Sequence, residues 1–508
     1  MRKLVLVILV ILLLISFPLN ISQGEEYETQ SFREKTEVTS FVSPDNSYDA
    51  VTSFLNDVNH SLEVGVYQFT HPQIAQQMIN LSEQGVVVRV LVEENPVQGL
   101  SSESKSVLSS LEEAGAEVKL IDYRNEYEFY HPKFMIADNH SVLLTSENFV
   151  RSSFPKEENF GNRGWGMIID SVDLASYCKE YFEEDWDLSS EFTGVSRKIE
   201  DIEQANHLEG EYQPTYNMTN FEGEFNFTPI VGPYNTMCEK TILGMINSAE
   251  DSIYVQQYYI RNWEDKANPY LEALKEAAKR DVEVKVLLDS TWYHLEGEGN
   301  DDIVNSINDY SSSEEVDMEA RLLSPYNDLE KAHNKGLIVD ETQVLVSTIN
   351  WNENSPTQNR EVGIIVEDEE IGSYYSEIFL TDWRDMIGPI ADAGENRTID
   401  TDQEIVLSAE NSWDDHEIVS YEWSIDEEKK LEKEGENITI SFEEEGKYEI
   451  TLLVEDRGGN IDTDTVTINV EKRDAFESVS EFMRWLVLLF PTLLISGFLL
   501  KNELSNRF

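Results

Sequence analysis

The chain carries one strand-like motif twice, and this repeat limits its fold to two related halves. "HPKFMIAD" places His131, Lys133 and Asp138 in one short stretch, and "HNKGLIVD" repeats the spacing about two hundred residues later. In each copy the residues between the lysine and the aspartate are mostly apolar, which is typical of a buried strand. The repeat therefore predicts a duplicated unit that brings the same side chains twice into one protein.

The repeat extends beyond the motif. Segments 43–69 and 232–260 share an amphipathic helical pattern followed by a β-rich apolar run, and a second helix and strand follow in each copy. Helices that alternate with apolar strands favour an α/β fold. We predict two tandem α-β-α sandwich halves, 40–190 and 229–387, joined by a polar, irregular linker at 191–228.

The histidine and the lysine of each motif should point to the same side of the sheet. Residues i and i+2 of a strand share a face, so His131 should lie beside Lys133, and His333 beside Lys335. Histidine can act as a nucleophile or an acid near neutral pH, and a lysine ammonium is a point charge suited to a phosphate oxygen. The pattern therefore favours phosphate chemistry.

Two facing halves would place two sets of these groups around a single phosphodiester. Asn148 and Asn350 end the strand after each motif and add a neutral donor for a further oxygen. In-line displacement at phosphorus needs a nucleophile on one side and a proton donor on the other, and two histidines related by a pseudo-twofold axis provide both. We predict one shared site in a monomeric chain, with lysines in place of a metal and with no cofactor.

These features resemble the HxKxxxxD motifs of the phospholipase D superfamily, over roughly residues 40 to 388. "TSEN" and "STIN" resemble the GSxN element of that superfamily, and "NREVGI" (359–364) resembles the segment after its second motif. The resemblance implies a covalent phosphohistidine mechanism. In that mechanism His131 is the nucleophile, and His333 is the general acid and then the base for the incoming water or alcohol.

The resemblance also implies roles for the other motif residues. The phosphate ligands that it implies are Lys133, Ser146, Asn148, Lys335, Thr348 and Asn350. Asp138 and Asp340 match the motif aspartates, whose role is mainly to hold the site together. Glu361 matches the carboxylate that orients a motif histidine.

One position departs from the pattern of the superfamily. The first half reads "NRGWGMI" where the second reads "NREVGI", so Gly164 stands where a carboxylate is expected. Either another acid such as Glu157 or Glu158 substitutes, or His131 is oriented differently. This departure leaves the choice of the nucleophile open.

Residues 388–472 have a different sequence pattern from the two halves. Short alternating strands separated by turn residues predict a small all-β sandwich of the immunoglobulin type. "ADAG", "VSYEW" and "DTVTINV" resemble a PKD domain, a module common on archaeal surface proteins. The resemblance implies a spacer or an adhesion module that binds a surface protein or a glycan.

The charge of the chain is strongly negative. Its 99 acidic and 38 basic residues give a formal net charge of −61. Nucleic-acid binders normally carry a basic footprint, which this composition lacks. High external salt screens such charge, so the acidity is also typical of a protein from a salt-loving organism.

Both ends of the chain have the composition of targeting segments. A basic start, an apolar run and small residues before Glu25 predict a signal peptide at 1–24, with an uncleaved anchor as the alternative. The apolar stretch 482–500, followed by basic residues, predicts a transmembrane helix and hence an exported, surface-anchored protein. Cys178 and Cys238 either pair across the halves or remain buried thiols.

Three functional hypotheses follow from these patterns. The first is a metal-independent phosphodiesterase or phosphatidyltransferase, as in phospholipase D and cardiolipin synthase, that acts on phospholipids near the membrane. The second is a membrane-tethered nuclease, for which nucleic acid is the substrate. The third is a non-catalytic protein that binds a surface partner.

Overall fold

The computed structural model describes residues 29–472 apart from 123–126, 157–159, 195–211, 213, 265, 292–298, 324–328, 385–387, 415–417, 426–431 and 457–459. The predicted signal peptide (1–24) and the predicted transmembrane helix (482–500) both lie outside these residues. Within the described ranges, no helix combines the length and the apolar character needed to cross a membrane.

The first half begins with a long strand and continues as strands that alternate with helices. Its first strand starts at Phe32, before the predicted boundary at residue 40. The elements of this half are β1 (Phe32–Ser43), α1 (Ser47–Asn56), β2 (Ser61–Val66), α2 (Pro72–Glu83), β3 (Val87–Glu93), α3 (Ser102–Glu113), β4 (Glu117–Ile121), β5 (Lys133–Ala137), β6 (Ser141–Thr145), β7 (Gly164–Asp170), α4 (Val172–Leu188) and β8 (Ser190–Glu191).

The second half repeats this order, as the sequence repeat predicts, but with two exceptions. Its elements are β9 (Thr219–Val231), α5 (Ile242–Ser248), β10 (Ser252–Gln257), α6 (Pro269–Ala278), β11 (Glu283–Leu288), α7 (Asn300–Glu314), β12 (Met318–Leu322), β13 (Lys335–Val339), β14 (Gln343–Ser347), α8 (Asn354–Gln358), β15 (Val362–Glu367) and α9 (Glu369–Trp383). The exceptions are the added short helix α8 between β14 and β15 and the lack of a counterpart of β8 among the described residues. Strand β9 begins inside the segment 191–228 that was predicted to be an irregular linker. Phe225 and Phe227 of this strand are buried, so its alternating residues contribute to the core.

All the strands of both halves form one sheet of 15 strands. Their order is β12-β11-β10-β13-β14-β15-β9-β1-β7-β6-β5-β2-β3-β4-β8. The equivalent strands β1 and β9 pair antiparallel at the centre, from Phe32 opposite Phe227 to Ser40 opposite Thr219. Antiparallel pairing of two equivalent strands relates the halves by a pseudo-twofold axis, and it sets the motif strands β5 and β13 at equivalent places on either side.

Helices cover both faces of the sheet, which confirms the α/β architecture. One face of each half packs under its own helices, α1 to α3 or α5 to α7, in a separate apolar cluster. On the other face α4 and α9 lie over a single cluster that includes side chains from both halves, among them Trp165, Tyr254 and Phe379. This shared core makes residues up to Arg384 one compact unit.

The described residues between 388 and 472 form a second unit, which has the predicted all-β sandwich. Its strands are β16 (Arg397–Asp400), β17 (Ile405–Ser408), β18 (Ile418–Ile425), β19 (Glu432–Glu434), β20 (Asn437–Ile440), β21 (Gly446–Asp456) and β22 (Ile461–Glu471). They form a five-stranded sheet, β16-β22-β21-β18-β19, and a two-stranded sheet, β17-β20. Trp423 is buried among the apolar residues of this sandwich.

Two buried ion pairs join the halves of the first unit reciprocally. Arg163 of the first half lies 2.9 Å from Asp382 on α9, and Arg360 of the second half lies 2.8 Å from Asp185 on α4. All four side chains are almost fully buried, and Arg163 also lies 2.7 Å from the buried Asp45 of its own half. Each guanidinium is therefore neutralised at least in part by a carboxylate of the other half. Cys178 on α4 forms no disulfide with Cys238, so the two thiols are unpaired.

Replacing Asp185 with alanine should destabilise the protein strongly. The Arg360 guanidinium would remain buried without its nearest counter-charge, which typically costs about 3–5 kcal/mol. Denaturant unfolding measures the loss in free energy. Glu272→Ala is the matched control, because it breaks the half-exposed Glu272–Lys275 pair and should change stability by less than about 1 kcal/mol. Equal effects of the two substitutions would contradict the role given to the buried pair.

Candidate active site

Each motif loop is fixed to the opposite half of the protein. The backbone N–H of His131 donates to the carbonyl of Arg360 at 2.9 Å, and the N–H of His333 donates to the carbonyl of Arg163 at 2.9 Å. Lys133 and Lys335 follow as the first residues of β5 and β13. The reciprocal bonds thus bring both predicted histidine–lysine pairs to the junction of the halves.

Each motif histidine is hydrogen-bonded to a carboxylate of the other half. His131 Nδ1 lies 2.8 Å from Glu361 Oε2, as the prediction of a histidine-orienting role for Glu361 requires. His333 Nδ1 lies 3.1 Å from Glu147 Oε1, a contact that sequence reasoning missed. Glu157 and Glu158, which were considered as substitutes for a carboxylate at Gly164, lie outside the described residues.

The position of Glu147 changes the interpretation of Gly164. A carboxylate at 164 was expected to affect the orientation of His131, but His131 is held by Glu361. The departure at Gly164 instead concerns His333, whose carboxylate partner comes from Glu147. A carboxylate in the middle residue of "SEN", directly before Asn148, was the available signal in the sequence.

The two carboxylates sit in equivalent polar surroundings. Glu361 Oε1 accepts hydrogen bonds from Ser355 at 2.5 Å and Asn359 at 3.0 Å. Glu147 Oε2 accepts hydrogen bonds at 2.5 and 3.1 Å from the equivalent residues of the first half, Ser153 and Asn162. These donors satisfy the carboxylate oxygens that do not face a histidine, as a buried charge requires.

Both carboxylates remain ionised although they are buried. Burial alone would raise the pKa of Glu147, but the nearby His333 and Lys335 outweigh it and lower that pKa to about 2. Burial is likewise outweighed at Glu361, whose pKa is lowered by His131 and Lys133. The carboxylates therefore supply two fixed negative charges to a site that otherwise contains basic groups.

The two lysines are fully buried beside their own motif histidines. Lys133 Nζ donates to the carbonyl of His131 at 2.8 Å, and Lys335 Nζ donates to the carbonyl of His333 at 2.5 Å. Burial lowers the pKa of Lys133 to about 7, with Glu361 and Glu147 acting against this effect. Burial also lowers the pKa of Lys335 well below its ordinary value, and the charge of Lys133 adds to the effect. Charges of the two halves therefore act on one another within one site.

The histidines are neutral at rest. Burial lowers the pKa of His131 to about 4, with Glu361 opposing the shift and Lys133 adding to it. Burial likewise lowers the pKa of His333 well below its ordinary value. In each case the carboxylate accepts from a protonated Nδ1, which leaves the Nε2 lone pair available for chemistry. Tyr67 and Tyr258 pack edge-on against these rings, with centroids 4.8 and 4.7 Å away.

Asn148 and Asn350 lie three residues beyond the strands that follow the motifs, which end at Thr145 and Ser347 rather than at the asparagines as predicted. Both side chains are buried, and their Oδ1 atoms have no hydrogen-bond partner among the described residues. Because the amide oxygen and nitrogen are assigned from such contacts, either end of the amide is available to a ligand. One unpartnered amide atom in each half fits a site that completes its hydrogen bonds with substrate oxygens.

The two hydroxyls that were predicted to bind phosphate have other partners. Thr348 Oγ1 donates to Glu361 Oε2 at 2.5 Å, the same oxygen that faces His131. Ser146 Oγ accepts the backbone N–H of Trp165 at 3.1 Å. The structure therefore places Thr348 behind the carboxylate, where its contact helps to hold Glu361.

The motif aspartates lie away from the histidines. Asp138 accepts the backbone N–H groups of Asn59, His60 and Ser61 at 2.7–2.8 Å, and Asp340 makes the equivalent three contacts in the second half. Each aspartate is at the far end of its motif strand, roughly 17 Å from the lysine at about 3.3 Å per residue. Both hold the loop before a neighbouring strand, β2 or β10, and lie too far from the lysines to contact them.

Over the described part of the chain, no cluster of three or more histidine, cysteine or acidic side chains could hold a metal ion. The groups at the junction are instead paired with one another. Two imidazoles, two ammonium groups and two carboxylates can together bind an anion, attack it and move a proton.

The sequence matches the family described as cardiolipin synthase, PLD-like domain, over residues 51–186 and 242–383. These two segments make up more than half of the chain. The chain belongs to this PLD-like family. Residues 387–470 match the PKD domain family, which confirms the interpretation of the C-terminal sandwich.

Curated relatives match different parts of this PLD-like chain. A phospholipase D of Rickettsia conorii is 30% identical over 30% of the chain and 66% of its own length. A cardiolipin synthase of Clostridium perfringens is 22% identical over 73% of the chain and 75% of its own length. The 5'-3' exonuclease PLD3 of Macaca fascicularis is 23% identical over 65% of the chain and 69% of its own length.

Other similarities bear on the sandwich and on the fold. The dyslexia-associated protein KIAA0319 homolog of Rattus norvegicus is 39% identical over 16% of the chain, which spans only 8% of that relative. The solved structure of phosphatidylserine synthase from Haemophilus influenzae superposes with a TM-score of 0.51 at 11% identity. It covers 70% of this chain and 86% of its own, and this likeness concerns the fold alone.

Replacing Lys133 with methionine should stabilise the protein, most of all at lower pH. The folded state lowers the pKa of Lys133 from 10.5 to about 7, so below pH 7 it bears the full cost of the buried charge. Above pH 10.5 the lysine is neutral in both states and that cost vanishes. The stability gain should therefore be several kcal/mol below pH 7 and should decline as the pH rises towards 10.5.

Denaturant unfolding at pH 6.5, 8 and 9.5 measures this gain. Lys105→Met is the control, because Lys105 is exposed and its substitution should give no pH-dependent gain. A gain from Lys133→Met that stays constant over this pH range would contradict the lowered pKa of Lys133.

Proposed function

We propose that the protein cleaves or transfers phosphodiester groups through a phosphohistidine, and that its substrate is a phospholipid. The observation that carries the proposal is the pair of buried histidines, each with Nδ1 on a carboxylate of the opposite half. Such a pair offers a nucleophile and a proton donor to one phosphorus atom. Membership of the PLD-like family supports the same chemistry.

In the first step His131 Nε2 attacks phosphorus while His333 serves the leaving group. A P–N bond forms as the P–O bond to the leaving alcohol breaks, and the alcohol oxygen takes a proton from His333 Nε2. Glu361 stabilises the positive charge that develops on His131. Lys133 and Lys335, together with the two asparagine amides, stabilise the charge on the equatorial oxygens.

In the second step water or another alcohol replaces the histidine. His333, now neutral, takes the proton of the incoming hydroxyl as its oxygen attacks phosphorus, and the P–N bond to His131 breaks. Water gives hydrolysis, and a lipid alcohol gives transfer. The same residues serve both outcomes, because the acceptor differs only in what is attached to the attacking oxygen.

Substrate binding itself would prepare His333 to act as an acid. Burial keeps His333 neutral in the free protein, with Lys335 adding to the effect. A phosphodiester brings a negative charge to the same place and therefore favours the protonated imidazole. The same charge favours the ammonium form of Lys133, whose pKa is lowered by burial to about 7.

The site has a His131 rim and a His333 rim, each defined by the residue two positions before its motif histidine. The two rims differ in polarity, and this supports an asymmetric substrate. Phe129 stands two residues before His131 and packs edge-on against Tyr67, with centroids 6.2 Å apart. Lys331 holds the equivalent place before His333, with its Nζ 5.5 Å from the centroid of the Tyr258 ring. An apolar group would suit the His131 side, and an anionic leaving group would suit the His333 side.

A nuclease is the second candidate function. Its support is the similarity to the exonuclease PLD3 over 65% of the chain, because a nucleic acid also presents a phosphodiester with further phosphates nearby. The net charge of −61 disfavours a long polyanion except in high salt. We therefore place the phospholipid first.

We further propose, from the sequence alone, that the protein is exported and anchored by residues 482–500. The PKD domain would then act as a spacer or as an adhesion module for a surface protein or a glycan. To test the anchor, intact cells are treated with a protease. We expect the protein on their surface to be cleaved, and we expect no protein to remain on the cells when residues 482–500 are deleted. Complete release by high salt with residues 482–500 intact would overturn it.

Substituting either motif histidine should abolish turnover. Purified protein in molar salt with EDTA is given phosphatidylglycerol vesicles and single-stranded DNA in parallel. We expect lipid turnover in which His131→Ala and His333→Ala each reduce the rate by at least about 10²–10⁴-fold, because each removes an essential group. Acid-labile phosphate should label the His333→Ala protein more persistently than the parent, since the base for the second step is missing.

Each other outcome of this assay points elsewhere. DNA cleavage with the same dependence on both histidines would favour the nuclease. Turnover that survives both substitutions would contradict the assignment of the site. The absence of turnover of either substrate would favour the non-catalytic surface protein.

Replacing Lys331 with phenylalanine should reduce the preference for anionic leaving groups. The substitution gives the His333 rim the residue found on the His131 rim and removes a positive charge. We expect kcat/KM for phosphatidylglycerol phosphate to fall by about tenfold, while kcat/KM for phosphatidylcholine changes by less than about threefold. Phe129→Leu serves as a control on the other rim. An equal loss with both lipids would contradict a charge-reading role for Lys331.

A further inference from the structure

The two halves differ in which strand supplies the buried carboxylate. In the second half Glu361 precedes β15, and the residue that follows Thr348 after β14 is Ile349. In the first half the carboxylate is at the other of these two positions: Gly164 at the start of β7 is equivalent to Glu361, and Glu147 after β6 is equivalent to Ile349. β6 pairs with β7, and β14 pairs with β15, so each half has one carboxylate on one of two adjacent strands.

The first half has room for only one of these two side chains. A Cβ atom on Gly164 would lie 2.3 Å from Glu147 Oε1 and 2.6 Å from its Cδ. These distances are far below van der Waals contact, and the neighbouring atoms belong to the carboxylate itself. Glu147 therefore fills the volume that a side chain at position 164 would enter.

The surroundings of the carboxylate are unchanged by this exchange. Ser153 and Asn162 contact Glu147 as Ser355 and Asn359 contact Glu361. A side chain that merely filled space beside Gly164 would need none of these donors. An ionised carboxylate in a buried site is costly, and the retained donors offset that cost only for a charge at this place.

We infer that Glu147 is the positioning residue for His333, and that it replaces, from the adjacent strand, the carboxylate missing at Gly164. The inference deepens the proposed function and rests on it for its catalytic readout. Glu147 contacts neither the substrate nor a reacting atom. It acts through His333, whose ring it holds with Nδ1 towards Oε1 at 3.1 Å.

This contact has a defined part in the proton transfers. With the Nδ1 proton held by Glu147, Nε2 of His333 is the atom that exchanges a proton with the leaving and the incoming oxygens. The carboxylate also stabilises the imidazolium that exists between these two transfers. Without it the ring could adopt the other tautomer, and the imidazolium would be disfavoured by burial and by Lys335.

The test moves the carboxylate of the first half from position 147 to position 164, which is the arrangement of the second half. Four variants are compared with the parent protein: Glu147→Ile, which matches Ile349, Gly164→Glu, their double variant, and Glu147→Gln. Turnover of phosphatidylglycerol vesicles gives kcat and KM. Histidine ¹⁵N NMR reports which nitrogen of His333 carries the proton and at what pH the ring titrates.

We expect Glu147→Ile to lower kcat by about 10²–10⁴-fold with KM within about threefold, because the substrate contacts remain. The Nδ1-protonated form of His333 should lose its dominance in this variant. Gly164→Glu alone should also lose activity and stability, since two carboxylates would meet in one space. The double variant should recover at least about tenfold over Glu147→Ile and should restore the Nδ1-protonated form.

Glu147→Gln keeps the size of the side chain and covers the case in which Glu147→Ile fails to fold. The amide can still accept the Nδ1 proton, but it carries no charge to stabilise an imidazolium. We therefore expect a lower kcat and a His333 that titrates at a lower pH than in the parent. A kcat within about threefold of the parent and an unchanged His333 titration would overturn the inference.

Two further outcomes separate this inference from the proposed function. A folded double variant that is no more active than Glu147→Ile, with an unchanged His333 signal across the series, would overturn the positioning role alone. A parent protein that turns over neither phosphatidylglycerol nor single-stranded DNA, but in which the His333 tautomer still follows the carboxylate from Glu147 to Gly164→Glu, would overturn the phosphodiesterase proposal and leave the positioning role supported.

Discussion

The site depends on two hydrogen bonds that cross between the halves, from His131 to Glu361 and from His333 to Glu147. Each half supplies a histidine that it cannot orient and a carboxylate that it cannot use alone. The central pairing of β1 with β9 and the shared core under α4 and α9 bring the two into register. One half by itself would have neither a carboxylate for its histidine nor a histidine for its carboxylate, which is why the duplication and the chemistry belong together.

The repeat predicted the residues that occur in both halves, and the family resemblance added Glu361, but Glu147 was missed. His131, Lys133 and their counterparts were found because the same spacing occurs twice, but the prediction that each histidine lies within the motif strand was wrong, since β5 and β13 begin at the lysines. Glu147 was missed because the repeat pointed to position 164, and only the adjacent strand shows that the same volume can be filled from position 147. Thr348 was predicted to bind phosphate because a sequence does not show whether a hydroxyl is free or is hydrogen-bonded, as this one is to Glu361.

The differences in the fold have a similar physical cause. The segment 219–228 looked like a linker because polar residues alternate with its aromatic ones, yet Phe225 and Phe227 are buried where β9 meets β1 and β15. Its pairing partners are far away in the chain, so local polarity could not reveal them. Asp138 was placed with the motif, but a strand separates it from the lysine, and its carboxylate holds three backbone N–H groups at the far end.

The electrostatics of the resting site explain how so many ionisable groups can be buried together. Burial makes both histidines neutral and lowers the pKa of both lysines, while the two carboxylates keep their charge. The two carboxylates are thus the fixed negative charges of the site, and the histidines and lysines around them are bases that can gain protons when an anion binds. A phosphodiester is such an anion, because its charge favours the protonated forms of His333 and of the lysines. Binding should therefore take up protons, so that the charge needed for catalysis exists chiefly when the substrate is present.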